Sequence, residues 1–355
     1  LPRLVELLES DDESQFRGAL HVARQLDDRL GVSNALVAAF KKQSPSRQVL
    51  TLIALGDLGQ QVSAATVLEA AKTARGEVRI QAIRVLAQMG DATAVPVLLA
   101  AAAQSDKPLA DAARTTLAVL DSAEINPTIV DLLNSDDAAT QQMAIDVAAR
   151  RKVAAATPAL LKWAKSDDGT TRTMAIKALG ATARMEHLSE FITLAINTQG
   201  STGSAVMKSA LQSACVRMPQ EECAEKLAAA MSRASTATKV LLLEQLTAVG
   251  GTTALETVVA AARSDDDAMQ DNATRLLGGW LTADAAPALF DLAKTLPEGK
   301  CQIRALRGYV RIARQLNMTP AERMTVCRNT LAIAERSDDK MLVLEVLKRY
   351  PTRQG

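Results

Sequence analysis

Apolar residues recur along this chain in short runs with helical spacing, and the same polar turn separates the runs. Stretches rich in Ala and Leu lead into Ser-Asp pairs, and an amphipathic stretch follows each pair. Ser and Asp side chains accept hydrogen bonds from the unpaired N–H groups of a first helical turn, so each pair predicts a helix start. The pairs begin at Ser10, Ser105, Ser135, Ser166, Ser264 and Ser337.

Prolines repeat with the same period. Pro96, Pro127 and Pro158 lie 31 residues apart in each step, as do Ser135 and Ser166. Proline suits the first turn of a helix, where its missing N–H would have no partner. Each period therefore predicts a shorter helix that opens with proline and a second helix that follows the Ser-Asp turn. Glycines predict where second helices end, at Gly56, Gly90, Gly180, Gly250 and Gly278.

The period predicts about eleven helix pairs along the 355 residues. One pair cannot bury both of its apolar faces alone, so stacking on the next pair must complete the core. The sequence therefore predicts an all-α fold, an α-solenoid that runs as a single domain over residues 1–355. Its second helices are expected to start near Ser14, Arg47, Glu77, Leu109, Thr140, Thr171, Val206, Lys239, Met269, Gln302 and Met341.

The composition agrees with a core made of thin apolar layers between stacked helix pairs. The chain has 2 Trp, 2 Tyr and 4 Phe, and much of its 48% hydrophobic content is Ala and Leu. A net charge of +1 argues against a nucleic-acid partner or an anionic membrane surface. No run approaches the roughly 18 apolar residues of a membrane span, so none is expected. Two histidines, His21 and His187, argue against multi-histidine metal sites, and we predict no metal or cofactor.

The best-formed unit, residues 76–99, reads GEVRIQAIRVLAQMGDATAVPVLL. It closely resembles the bacterial HEAT repeat, and residues 166–180, SDDGTTRTMAIKALG, resemble its second helix. The likeness is strong over residues 64–180 and weaker over nearly all of the chain. It implies HEAT-like helix-turn-helix repeats in a right-handed superhelix, a scaffold that serves many partners.

A narrower resemblance covers residues 301–350. This segment resembles the end of the HEAT module in exported bacterial proteins that also carry a 3-keto-disaccharide hydrolase domain of concanavalin-like fold. The resemblance implies an exported protein, periplasmic or extracellular rather than cytoplasmic. We also expect the chain to be a fragment of a longer one, because its last helix is still apolar on several faces where a solenoid should have a polar cap.

Second helices line the concave face of such a solenoid, and one solvent-facing position in each forms a column. We predict that this column binds a partner. The signs of its charges are mixed, which favours a protein or peptide, or a neighbouring domain of the same chain, over a phosphate backbone. A merely solvated face is the alternative. The column consists of Arg84, Thr115, Asp146, Lys177, Gln212, Glu244, Arg275 and Arg307.

Two other sets of residues suggest structural roles. Arg79 and Arg172 share one register of the second helix, and the HEAT resemblance implies that they bond acidic turn residues, with Asp91 as a candidate. Cys215 and Cys223 flank the loop around Pro219 almost symmetrically, which allows a disulfide that would imply an oxidising compartment. Buried free thiols are the alternative.

No catalytic triad, phosphate-binding glycine loop or Cys/His pair is visible in the sequence. We therefore predict a monomeric, non-catalytic binding scaffold, a module of a larger bacterial protein that also carries a carbohydrate-active domain. One alternative is a HEAT-type DNA glycosylase or lyase with its substrate in the concave groove, where Trp280 could reach a rim instead of the core. Another is a cytoplasmic assembly adaptor with free thiols.

Overall fold

The chain is helical throughout the part that the structure describes. This computed structural model describes residues 1–59, 61–198, 203–232 and 234–351. These residues form twenty-two α-helices and four short 3-10 turns, and none of them lies in a β-strand. The predicted all-α fold is therefore confirmed. The helices of the first half are α1 Pro2–Glu9, α2 Glu13–Ala23, α3 Arg29–Phe40, α4 Pro45–Leu58, α5 Gln61–Thr73, α6 Gly76–Met89, α7 Val95–Ala102, α8 Lys107–Val119, α9 Ile125–Leu132, α10 Ala138–Arg151, α11 Thr157–Trp163 and α12 Gly169–Thr182.

The helices of the second half continue the same alternation of first and second helices. The even-numbered helices are the second helices, and each begins within a few residues of its predicted start. The bounds are α13 Leu188–Asn197, α14 Ser204–Cys215, α15 Gln220–Met231, α16 Thr236–Val249, α17 Thr252–Ala262, α18 Asp267–Gly278, α19 Ala286–Thr295, α20 Lys300–Gln315, α21 Pro320–Ile333 and α22 Ser337–Arg349.

The Ser-Asp turns start helices because the aspartate carboxylate accepts hydrogen bonds from the first turn. Asp137 accepts from the backbone N–H of Thr140 at 2.8 Å, and Asp168 accepts from that of Thr171 at 2.8 Å. Asp12, Asp106 and Asp266 cap α2, α8 and α18 in the same way. The pair at Ser337 differs, because it lies inside the first turn of α22 and Arg336 occupies the N-cap without a side-chain hydrogen bond.

Not all of the glycines end helices as predicted. Gly250 follows α16 with a left-handed φ of 72°, and Gly90 follows α6 in an extended conformation. Gly56 and Gly180 instead lie within α4 and α12, and Gly278 is the last residue of α18. Helix α4 instead ends at Gly59, whose φ of 62° is left-handed.

The first compact unit is Leu1–Thr182. Each second helix packs on the next, from α2 through α4, α6, α8 and α10 to α12, and α1, α3 and α5 pack likewise. Leu55, Leu86 and Leu117 are fully or almost fully buried between these layers. The core is therefore a series of thin apolar layers, and each layer is completed by the neighbouring helix pair.

The second compact unit is Ala183–Gly355. Its second helices pack in the order α14, α16, α18, α20 and α22, and its first helices α13, α15 and α17 pack on one another. Phe191, Leu242, Leu289 and Val343 are fully buried. Each unit is thus an α-solenoid, as predicted. That residues 1–355 act as a single domain stays a prediction.

No helix among the described residues is both long and apolar enough to span a bilayer.

Candidate functional site

The predicted column lies on the solvent-facing side of the second helices. In the first unit, Asp146 is half-buried and the other column residues are exposed. The same division holds in the second unit, where Glu244 is half-buried. Mixed signs and accessibility are therefore both present in the folded protein. The exposed members are Arg84, Thr115, Lys177, Gln212, Arg275 and Arg307.

Arg150 brings two column residues of the first unit together. Its guanidinium on α10 lies 3.1 Å from Asp146 Oδ2 and donates to Thr115 Oγ1 of α8 at 3.1 Å. The same group also reaches Asp111 Oδ1 on α8 at 2.8 Å. Arg114 Nη1 of α8 lies 3.7 Å from the same oxygen, Asp146 Oδ2. Ion pairs across two layers thus hold this part of the column in one arrangement.

The other two column residues of the first unit are not linked to a neighbouring layer. Arg84 Nη1 pairs with Glu77 Oε1 of its own helix at 3.1 Å. The exposed side chain of Lys177 makes no hydrogen bond or ion pair with any described residue. The lysine is therefore available to a ligand without loss of an internal contact.

Glu244 joins three second helices of the second unit. Its carboxylate on α16 lies 2.6 Å from Lys208 Nζ of α14 and 3.5 Å from Arg275 Nη2 of α18. Arg275 and Glu244 are therefore adjacent, as the column predicts. The side chain of Gln212 is exposed, and no described side chain bonds to it.

Helix α20 carries a row of cations of which the sequence analysis singled out only Arg307. They recur at intervals of four and three residues, which places them along one helix face. Arg307 Nε lies 2.8 Å from Asp339 Oδ1 of α22, and Arg314 Nη1 lies 3.0 Å from Glu345 Oε2 of the same helix. The spacing itself was the available signal. The row is Lys300, Arg304, Arg307, Arg311 and Arg314.

Asp271 of α18 anchors the beginning of this row. Lys300 Nζ and Arg304 Nη1 both lie 2.7 Å from Asp271 Oδ1. Lys300 above all, and Arg304 after it, hold the pKa of the Asp271 carboxyl below its usual value. One carboxylate therefore serves two cations.

An open groove follows the row, between α18, α20 and α22. Its volume is ≈ 630 Å³. Five arginines and one acidic residue line it, together with a threonine, two glycines and a leucine. The lining comprises Thr274, Arg275, Gly278, Arg304, Arg307, Gly308, Arg311, Arg314, Asp338 and Leu342.

Arg79 and Arg172 have structural roles, but Asp91 does not pair with either of them. Arg79 Nε donates to the Ala71 carbonyl at 3.0 Å, and Arg172 Nη1 donates to the Ser166 carbonyl at 2.7 Å. Asp91 instead accepts from the Thr93 hydroxyl at 2.5 Å, which lowers its pKa. Arg79 thus satisfies a carbonyl in the last turn of α5, which has no partner within the helix, and Arg172 satisfies carbonyls of the turn before α12.

Cys215 and Cys223 lie next to each other as buried thiols. The hydrogen bond between the two side chains, together with burial, raises the pKa of Cys215. A disulfide between them stays a prediction. Trp280 belongs to the core, since it is 2% exposed and its Nε1–H donates to Thr282 Oγ1 at 2.9 Å. Within the described part of the chain, no group of three or more His, Cys, Asp or Glu residues is placed to hold a metal ion.

Comparison with known families agrees with this architecture. Residues 33–118 and 126–212 match the family described as HEAT repeats. The protein is an α-solenoid that contains HEAT repeats. Among curated proteins, no sequence matches it. The resemblance of residues 301–350 to modules that accompany a 3-keto-disaccharide hydrolase stays a prediction.

Solved structures of the karyopherin Kap121p share the fold of this HEAT-repeat protein. Kap121p bound to Nup53p superposes with a TM-score of 0.55 at 11% identity, over 98% of this chain and 45% of that one. Kap121p bound to Ste12p gives a TM-score of 0.53 at 13% identity, over 98% and 45%. The HEAT-repeat protein thus spans less than half the length of Kap121p, and the likeness concerns the fold alone.

Proposed function

We propose that this HEAT-repeat protein is a non-catalytic scaffold that binds a protein or peptide partner along the column on its second helices. The observation that carries the proposal is the column itself, in which exposed cations flank half-buried carboxylates. Fold-level support comes from Kap121p, which was solved with Nup53p and with Ste12p bound. We place the partner on the concave face, which second helices line in solenoids of this kind.

Ion pairs between layers support this role. Arg150 links Asp146 to α8, and Glu244 links α14, α16 and α18, so these side chains are held before any partner arrives. Ordering a long side chain on binding costs about 0.5–1.5 kcal/mol. A column that is already ordered avoids part of that cost. Within each unit it also presents a fixed pattern of charges, which favours one partner over others.

The experiment is site-specific photo-crosslinking in the cells that produce the protein. A photoreactive amino acid replaces Lys177 or Gln212 of the column. Matched controls carry it at Lys162 of α11 or Glu256 of α17, which are exposed on first helices. We expect a defined crosslinked partner from the column positions and none from the first helices. Crosslinks of equal strength from both sets, or none from the column, would contradict the proposal.

We also propose that the scaffold is part of a larger exported bacterial protein with a carbohydrate-active domain. The support is the sequence resemblance of residues 301–350. The carbohydrate-active domain of the same chain would then be a second candidate partner for the column. Reading the complete gene tests this point. We expect a signal peptide before the solenoid and a hydrolase domain in the same reading frame; a gene that encodes neither would refute it.

A further inference from the structure

We propose that the groove between α18, α20 and α22 binds an acidic peptide segment of a partner protein. This inference rests on the proposed scaffold function and names the chemistry of one partner segment. It depends on the excess of cations in the groove, on their accessibility, and on an apolar residue in the lining.

The cations that line the groove outnumber its acids. Five arginines face it, against the single acid Asp338. Acids beside the groove offset part of this excess, since Asp271, Asp339 and Glu345 each pair with a member of the row. Asp271 is shared by Lys300 and Arg304, however, and Arg311 has no acidic partner among the described residues. A surplus of positive charge therefore remains at the groove.

The internal ion pairs leave most guanidinium donors unused. A guanidinium has five N–H donors. Toward described residues, Arg304 uses Nη1, Arg307 uses Nε and Arg314 uses Nη1. Their side chains are 38%, 44% and 34% exposed. Each arginine can therefore keep its partner and still form a charge-assisted hydrogen bond with an incoming carboxylate.

Arg311 contributes charge from a fixed position. It donates to the backbone carbonyls of Gly278, at 2.7 Å, and of Trp280, close to the end of α18. Burial, and then the like charge of Arg314, lowers the pKa of Arg311. An acidic ligand beside it would relieve the repulsion between these two arginines.

The apolar part of the groove lining suits a peptide. Gly278 and Gly308 pack against each other where α18 meets α20, and Leu342 of α22 adds an apolar surface. An apolar side chain of the peptide can pack on Leu342 while its carboxylates bind the arginines. Nucleic acid fits less well, because a phosphate backbone needs a long basic path. This groove is bounded by α20, sixteen residues or about 24 Å long, in a chain whose net charge is +1.

The test measures binding of a short fluorescein-labelled peptide rich in glutamate, with one leucine, to the purified full chain by fluorescence anisotropy. The groove variant is Arg275→Gln/Arg304→Gln. This variant leaves no acid without a cation, because Glu244 still pairs with Lys208 and Asp271 still pairs with Lys300. The control variant is Arg3→Gln/Arg263→Gln, which removes the same charge from exposed ion pairs outside the groove. A peptide with glutamine in place of glutamate tests the need for charge.

We expect the groove variant to weaken peptide binding by on the order of tenfold, and the control variant to bind like the unchanged protein. Binding should also weaken as salt rises, and the glutamine peptide should not bind. Circular dichroism must show both variants folded; if the double variant unfolds, Arg275→Gln alone replaces it, with a smaller expected loss.

Three outcomes would overturn the inference. The first is an equal effect of the groove and control variants, and the second is equal binding of the glutamate and glutamine peptides. The third is single-stranded DNA that binds more tightly than the peptide and depends on Arg275 and Arg304. If peptide binding fails while Lys177 and Gln212 still crosslink to a partner, the groove inference fails and the scaffold function stands. Loss of both crosslinks refutes the scaffold function instead.

Discussion

Gly308 of α20 lies so close to Gly278 of α18 that a Cβ on Gly308 would come within 2.8 Å of the Gly278 Cα. The same Cβ would lie 3.2 Å from Leu289 Cδ2. Backbone cannot move aside as a flexible side chain can. This contact therefore sets the separation of the two helices that bound the arginine-lined groove.

Gly308→Ala should destabilise the protein. Forcing a methyl group into a packed interface costs about 1–3 kcal/mol, and the clash here is with backbone. The matched control is Gly18→Ala on the exposed side of α2, where a Cβ would meet no atom within 4 Å. That change should stabilise by up to about 1 kcal/mol, because alanine favours a helix. Thermal unfolding followed by circular dichroism distinguishes the two; a harmless Gly308→Ala would show that the helices can separate freely.

Arg307→Met should destabilise the protein because it removes the nearest cation from the buried Asp339 carboxylate. The Asp339 side chain is 3% exposed, and its remaining cation, Arg336, lies 3.9 Å away. Leaving a buried charge with a weaker partner should cost about 2 kcal/mol, less than for a fully buried pair because Arg307 is itself 44% exposed. The double variant Arg307→Met/Asp339→Leu should recover much of this loss. Urea unfolding measures both; a double variant as unstable as the sum of its single changes would argue against the coupling.

The Ser-Asp turns should make the protein sensitive to acid. The hydrogen bond from the Thr171 hydroxyl, and then that from its backbone N–H, hold the pKa of Asp168 below its ordinary value of 3.8. A carboxyl with a lowered pKa in the folded state contributes stability above pH 3.8, and this contribution is lost as the pH falls through the folded pKa. Asp168→Asn keeps an acceptor oxygen at the cap but does not titrate there.

The Tm of Asp168→Asn should therefore fall less than that of the unchanged protein as the pH drops from neutral to acidic values. Thermal unfolding across that range measures the difference. Asp167→Asn is a suitable control, because the side chain of this exposed neighbour does not cap the helix. Parallel pH profiles for all three proteins would show that the cap carries no pH dependence.

Mild oxidation should join Cys215 to Cys223. The two thiols lie in contact, and closing so short a loop should stabilise the folded chain by roughly 2–3 kcal/mol if the bond forms without strain. Mass spectrometry after diamide treatment should show the loss of two thiols, and the Tm should rise. Cys301→Ser/Cys327→Ser should behave in the same way, since it keeps the pair. A Cys215→Ser variant that gains as much stability on oxidation would contradict the assignment.

Local sequence specifies the repeat, the eleven second helices and nearly all of their starts, because helix caps act between residues two or three positions apart. It also brings Cys215 near Cys223, since one short loop separates them. Which groups meet across layers is set by the stacking of the helices. Arg150 and Asp111 are 39 residues apart, and Arg304 and Asp271 are 33 apart, so their pairing depends on how successive helices stack. The groove has the same origin: α20 supplies its cations, but the contact between Gly278 and Gly308 and the position of α22 give the groove its walls.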